Sequence, residues 1–306
     1  MLSHKTIFFS IAAALILSAC SSKKPEEPQQ AAEKLQEAAT HLGGCVLLSP
    51  TGAVPDDLYQ VGEVTATDEY KPFTKKLMVY GIVLIGRDDI KDDFMHKVAK
   101  TIMEMFPQQD GINLKLQQEL LRNHYRYRAV IPLFKGHDYE FSPADEADWD
   151  RTRSENSICD IIMQDVPGQV MEVVEHILHH VSDVGLHFTF PDEWGISRTS
   201  KLYHAMQEAI EKGYYVVDQY DDVDEEEVKD RVLMQEFAYW VITSAWDLQN
   251  PYGPDAEWKK IRTPDDLKTM LPSSYQLFEE TIPMVMVSPS ISMLEEFKEY
   301  DKKDNR

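Results

Sequence analysis

The sequence predicts an α+β chain, with a small sheet in the first half and a mainly helical second half. Three observations carry this. The run Leu77–Gly86, LMVYGIVLIG, is short, apolar and rich in branched residues, the pattern of a buried strand. The following stretch, RDDIKDDFMHKVAKTIMEMFP, places Ile90, Phe94, Val98, Ile102 and Met105 at helical spacing before Pro107. From about Gly168 onward, nearly every apolar pattern has the helical period. The chain of 306 residues is 43% hydrophobic, enough to fill a sizeable core. Its 31 Lys and Arg stand against 53 Asp and Glu, a net charge of -22. A field of that sign repels nucleic acid phosphates, so nucleic acid is excluded as a partner, and it attracts cations.

The N-terminus opens with Lys5 and an apolar run from Ile7 to Leu17. The run is too short for a normal membrane span but has the length of a signal-peptide core. It ends in Leu17-Ser18-Ala19-Cys20, which resembles the bacterial lipobox. The resemblance implies a signal peptide over residues 1–19 and a lipid on Cys20. It places the protein on a membrane surface of the bacterial cell envelope. In a Gram-negative cell, Ser21 after the cysteine implies the outer membrane, facing the periplasm. Residues 20–40, polar and rich in Glu, Gln and Pro, read as a lipid-anchored tether. Residues 41–295 are expected to form one domain, and 296–306 a charged tail that frays.

Within that domain, a strand over 77–86 leads into the amphipathic helix, and a second helix precedes an extended segment near Ala129–Phe134. Ser142 and Pro143 start an acidic helix or loop. Gly168–Phe188 is a histidine-rich helix, Ser200–Lys212 a helix ended by Gly213, and a long helix runs to about Leu248. Thr263 and Pro264 open the first of two short helices. Cys45 and Cys159 are the two remaining cysteines. Outside the cytoplasm they form either a disulfide or two buried thiols.

The stretch VVEHILHHVSDVGLH, Val173–His187, holds four of the ten histidines. With His176 at zero and about 100° per residue, His180 falls near +40°, His179 near -60°, Asp183 near -20°, His187 near +20° and Glu172 near -40°. Six metal-capable side chains then share one stripe, with Val170, Val173, Val174, Ile177 and Leu178 on an apolar arc beside it. Glu175, near -100° on the same count, falls on the flank. His176 and His180, four apart, project from adjacent turns, a spacing at which two imidazoles hold one zinc ion. The other readings are a hydrogen-bonded polar seam packed against further helices, and a seam that lines a pocket for an organic ligand.

His176-Ile177-Leu178-His179-His180 resembles the helix of zincin metallopeptidases, His-Glu-x-x-His, with Ile177 where that family places its general base. The segment QEFAYW, Gln235–Trp240, is similar to the segment that supplies the third ligand in the lethal-factor type of zincin. The resemblance implies a zincin-like domain, zinc held by His176, His180 and Glu236, and Glu172 or His179 as base or extra ligand. The implied activity is that of a divergent or inactive metallopeptidase acting on a peptide. The alternative is a non-enzymatic lipoprotein whose helical half binds a protein partner, which exposure of the aromatics of EFAYWVITSAW would favour. Three other groups have weaker claims. His204 and Glu208 either extend the site or form a surface pair. Arg122, Arg126 and Arg128 either bind an anion or, as expected of so acidic a chain, pair with its carboxylates. His187–Gly195 is expected to be a loop at a pocket rim.

Overall fold

The computed structural model describes residues 45–137, 140–253 and 255–302. The expected signal peptide, the expected lipid site at Cys20 and the expected tether lie outside the described residues. Among those described, no helix is long and apolar enough to cross a membrane.

Five strands form one mixed sheet in the order β1 (Thr65–Ala66), β2 (Lys75–Val79), β3 (Ile82–Gly86), β4 (Val130–Lys135) and β5 (Ile162–Gln164). The first three are antiparallel and the last two pairings parallel. The expected single strand over 77–86 is therefore a hairpin. Tyr80 and Gly81 both adopt positive φ, 51° and 87°, and Leu77 faces Leu84 across the turn. Two consecutive left-handed residues reverse the chain with the twist that a two-residue hairpin needs. The unbroken apolar run concealed it because Tyr80 is itself buried.

The parallel strands are joined by helices. α1 (Asp92–Met105) and α2 (Leu114–Arg126) connect β3 to β4, and α3 (Pro143–Glu155) connects β4 to β5. Strand alternation sends Leu84, Ile131, Leu133 and Ile162 into the large core. Ile85, Val130 and Phe134 face the other way, into a smaller cluster with Phe73, closed by Trp149 of α3.

The second half is helical: α4 (Gln169–His180), α5 (Lys201–Glu211), α6 (Glu226–Ala245), α7 (Pro264–Met270), α8 (Pro272–Val285) and α9 (Ile291–Glu295). Ser200 caps α5 through the Tyr203 N–H, and Gly213 follows its end at φ 65°. Thr263 and Asp266 form a reciprocal capping box on α7. α4 continues into a π-helical stretch, Val181–Leu186, and a last α turn, His187–Thr189.

The expected fraying tail is corrected. After α9, Phe297 and Tyr300 are fully buried and both pack edge-on against Phe94 of α1. These two aromatic anchors, just past the expected boundary at residue 295, hold the chain down to Tyr300, so the domain includes this segment.

Candidate metal centre

Three pieces of chain meet at the site: the segment before β5, the helix α4 and the helix α6. Gln169 fixes the turn between the first two. Its side-chain oxygen accepts the Asp165 and Val166 N–H groups at 2.7 and 3.3 Å, and its amide donates to the Met163 carbonyl at 2.7 Å. Asp165 takes φ 67° and Gly168 φ 72° in this reversal. One turn further, Glu172 accepts the Met163 N–H at 2.7 Å. The helix therefore lies against the strand in one register, with Asp160 just upstream of that strand facing it.

Asp160 organises the histidines. Its Oδ2 lies 2.7 Å from His179 Nδ1 and accepts the Gln235 amide at 3.1 Å. Its Oδ1 lies 3.6 Å from His176 Nε2. His176 Nδ1 donates to the Glu172 carbonyl at 2.6 Å, with the Glu172 carboxylate 3.3 Å away. Beyond His179, Glu236 of α6 brings its Oε2 to 3.5 Å from Nε2, outside hydrogen-bond geometry. His179 Nε2 is thus a fully buried ring nitrogen with no hydrogen-bond partner.

Two overlapping groups offer ligand atoms within 4.8 Å of one another: Asp160, His176 and His179, and Glu175, His179 and Glu236. Either could hold a metal ion. A third group, Cys45, Cys159 and Asp183, is spent differently, because the two sulfurs are bonded to each other in a disulfide. In the first group the carboxylate is already committed to His179 and Gln235. In the second the imidazole nitrogen is unpartnered and both other donors are carboxylates, so the second fits a cation better.

The charges respond to this crowding. Burial raises the Asp160 carboxyl, but the His176 and His179 imidazoles outweigh it and hold the group well below the usual carboxylate range. Burial and the neighbouring Glu236 push Glu175 up to about 8. Burial also raises Glu172. His179 would lose its charge to burial, yet Glu236 and Asp160 draw its affinity for protons well above the ordinary imidazole value. His176 is raised in the same way by Asp160 and Glu172. The site without a cation therefore compensates with protons, which a metal would displace.

His180 does not join this group, and its pairing with His176 as a zinc clamp is corrected. Its Nε2 accepts the Cys159 N–H at 3.3 Å and its Nδ1 donates to the His176 carbonyl at 2.9 Å. Both ring nitrogens are used by backbone, and burial lowers the imidazole to about 4. The helix face that meets α6 is centred nearer His179 than His176, so Glu175 moves from flank to site and His180 moves out of it. His187 also leaves the stripe. The π stretch bonds the His187 N–H to the Ser182 carbonyl, five residues back, and turns the rest of the helix away from the α-helical count. His187 Nδ1 instead accepts the Ile196 N–H at 2.9 Å. Asp183 is buried beside Arg231, 3.7 Å away, with a Cys45 sulfur at 3.6 Å. Ile177 is fully buried in the core.

The weaker candidates fall elsewhere. Glu208 pairs with Lys212 at 2.6 Å, and with His204 it lines a separate surface groove. Arg122 and Arg126 both bind Glu119, and Arg128 reaches Asn156 and Glu69. The expected rim loop contains a short helix, Pro191–Trp194, whose Trp194 is buried. Sequence reasoning missed Asp160 and Gln235, which no local spacing marks. Glu175 was discoverable as the i, i+4 partner of His179.

Comparison with known proteins found no match among family models, curated proteins or solved structures.

Proposed function

We propose that this chain is a lipid-anchored protein of the bacterial cell envelope that holds one zinc ion through Glu175, His179 and Glu236. The observation that carries the metal reading is His179 Nε2: buried, without a hydrogen-bond partner, and facing two carboxylates while Asp160 engages the ring's other nitrogen. A carboxylate behind a ligating imidazole fixes its tautomer and orientation, and such outer partners recur in metal sites. Three protein ligands leave a coordination position open, as in hydrolytic zinc centres. When bound there, zinc would supply polarisation of water or a carbonyl. Glu172, on the wall of the adjoining cavity, is the base in this reading. His176 helps to hold Asp160 in place.

The lipobox at Leu17–Cys20 supports attachment to the membrane surface, on the periplasmic side of the outer membrane in a Gram-negative cell. Metal-assisted hydrolysis of a peptide is the activity this reading implies, with Glu172 as base; the zincin ligand pair does not carry over, because His180 serves the backbone. The alternative of a protein-binding helical half drew on exposed aromatics in α6. Phe237, Tyr239 and Trp240 are buried, which takes that support from three of the aromatics, and Trp246 is half-buried.

Metal analysis of the purified chain tests the proposal. Close to one equivalent of zinc is expected, lost in His179→Ala and in Glu236→Ala, with chelator lowering the melting temperature of wild type only. Absence of stoichiometric metal, with a melting curve indifferent to chelator, would refute it.

A further inference from the structure

Beside the metal centre, between the start of α4 and the end of α6, lies a cavity of about 220 Å³. Glu172, Glu175, Tyr239, Trp240, Tyr252 and Asp255 lie on its wall, and no Lys, Arg or His does. Elsewhere on this acidic surface, carboxylates find cations: Glu226 and Asp230 share Arg198, Glu208 has Lys212 and Glu295 has Lys298. Glu175 has no Lys or Arg within ion-pairing distance among the described residues. Behind it, off the cavity wall, a His179 ring nitrogen lies within 4.8 Å of its carboxylate, so Glu175 at the inner end of the cavity faces a buried imidazole and no fixed cation. The positive end of α4, whose Gly168 lies on the wall, is offset in part by the Asp301 carboxylate, which accepts the Gly168 N–H at 3.2 Å, and by Glu172 in the first turn.

We propose that this cavity receives a primary ammonium group, carried by the amino terminus of a peptide or by the end of an alkylamine, with Asp255 as its counter-charge and Tyr239, Trp240 and Tyr252 as the aromatic surround. Carboxylates and aromatic rings are together the surfaces that bind organic cations. The volume falls below the roughly 300–1,000 Å³ of sites that enclose a drug-sized ligand, so it suits the end of a chain rather than a whole large molecule. The inference rests on the metal reading for one thing only, the direction in which the ligand points. Atoms next to the ammonium would lead from the cavity toward Glu175 and the zinc.

Calorimetry on the full chain in detergent, with zinc and with chelator, tests this. The probes are pentylamine and alanyl-alanine amide, each against its neutral counterpart, pentanol and the N-acetylated dipeptide amide. Binding of either amine, with its neutral counterpart silent, supports the ammonium pocket, and the amine that binds identifies the source. Asp255→Asn and Tyr252→Leu, both at the outer wall, are each expected to weaken that binding about tenfold while the melting temperature stays within a few degrees. Neutral probes binding as tightly as the amines, no heat from any probe, or variants with undiminished affinity would overturn the proposal. Zinc uptake without amine binding removes this inference alone. Amine binding by protein that takes up no zinc upholds the ammonium pocket and sinks the metal reading.

Discussion

Asp160 and His179 are joined through Oδ2 and Nδ1 at 2.7 Å, and this contact decides which nitrogen of the histidine faces α6. With Nδ1 held, Nε2 is presented to Glu175 and Glu236. Asp160→Asn keeps the shape but removes the charge that orients the ring. Zinc affinity is expected to fall by about 10–100-fold, with stoichiometry retained at saturating metal. Competition against a chromogenic chelator measures it, and an unchanged affinity would remove Asp160 from the centre.

His180 should behave in the opposite way. Its imidazole bridges the Cys159 N–H and the His176 carbonyl inside the core. His180→Ala strands a buried N–H and leaves a cavity, a cost of about 2–4 kcal/mol. Denaturant unfolding should show that loss while one equivalent of metal still binds. Loss of metal from a variant that remains folded would restore His180 as a ligand.

Gly185 sits in the π stretch against α2. A Cβ there would lie 2.8 Å from His124 Nε2 and 2.9 Å from Leu120 Cδ2. Both neighbours are fully buried and have little room to give. Gly185→Ala is expected to destabilise the domain by about 1–3 kcal/mol. Its metal content should match wild type, since the strain lies at the far side of the helix from α6.

His124 gives the fold a dependence on pH. Burial lowers its imidazole from 6.5 to about 3. The folded pKa is the depressed one, so the neutral ring's contribution is complete above about pH 6.5. As pH falls below that value the unfolded chain takes the proton first, and stability drains until about pH 3. At about 1.4 kcal/mol per unit, the term costs on the order of 2 kcal/mol by pH 4.5 to 5. Comparing wild type with His124→Gln by denaturant unfolding at pH 7 and pH 4.5 isolates it; equal losses in both proteins would disprove the assignment.

Anchoring has its own test. Cys20→Ser is expected to abolish acylation and leave a precursor that is uncleaved or misprocessed. Metabolic labelling with a fatty-acid analogue reads this directly, and equal labelling of wild type and variant would exclude lipid at Cys20.

Much of the fold was legible in the sequence because apolar period reports burial directly. The helices beginning at Asp92, Lys201 and Pro264 follow from apolar spacing and caps, and the strand character of Leu77–Gly86 follows from its branched residues. The reversal at Tyr80-Gly81 was hidden, since both arms of the hairpin are buried and no polar turn residue interrupts them. The site was legible to the extent of the helix that carries it. Which face of that helix meets α6 depends on packing at long range, and a count from His176 chose a centre too far round. The π stretch then changed the angular sum beyond Val181, and nothing in VSDVGL announces the extra residue per turn. Asp160 is distant in sequence and enters only through the sheet.

The disulfide has a mechanical meaning. Cys45 is bonded to Cys159, the residue directly before Asp160, and the Cys45 carbonyl also accepts the Ile158 N–H at 3.0 Å. Tension applied to the chain ahead of Cys45 therefore does not have to peel β1 from the edge of the sheet. It passes through a covalent crosslink to the root of β5, at the opposite edge of the sheet, where the strand pairs with β4. The domain would be held at the far edge of its sheet, and tugging at its leading end would load the backbone next to Asp160.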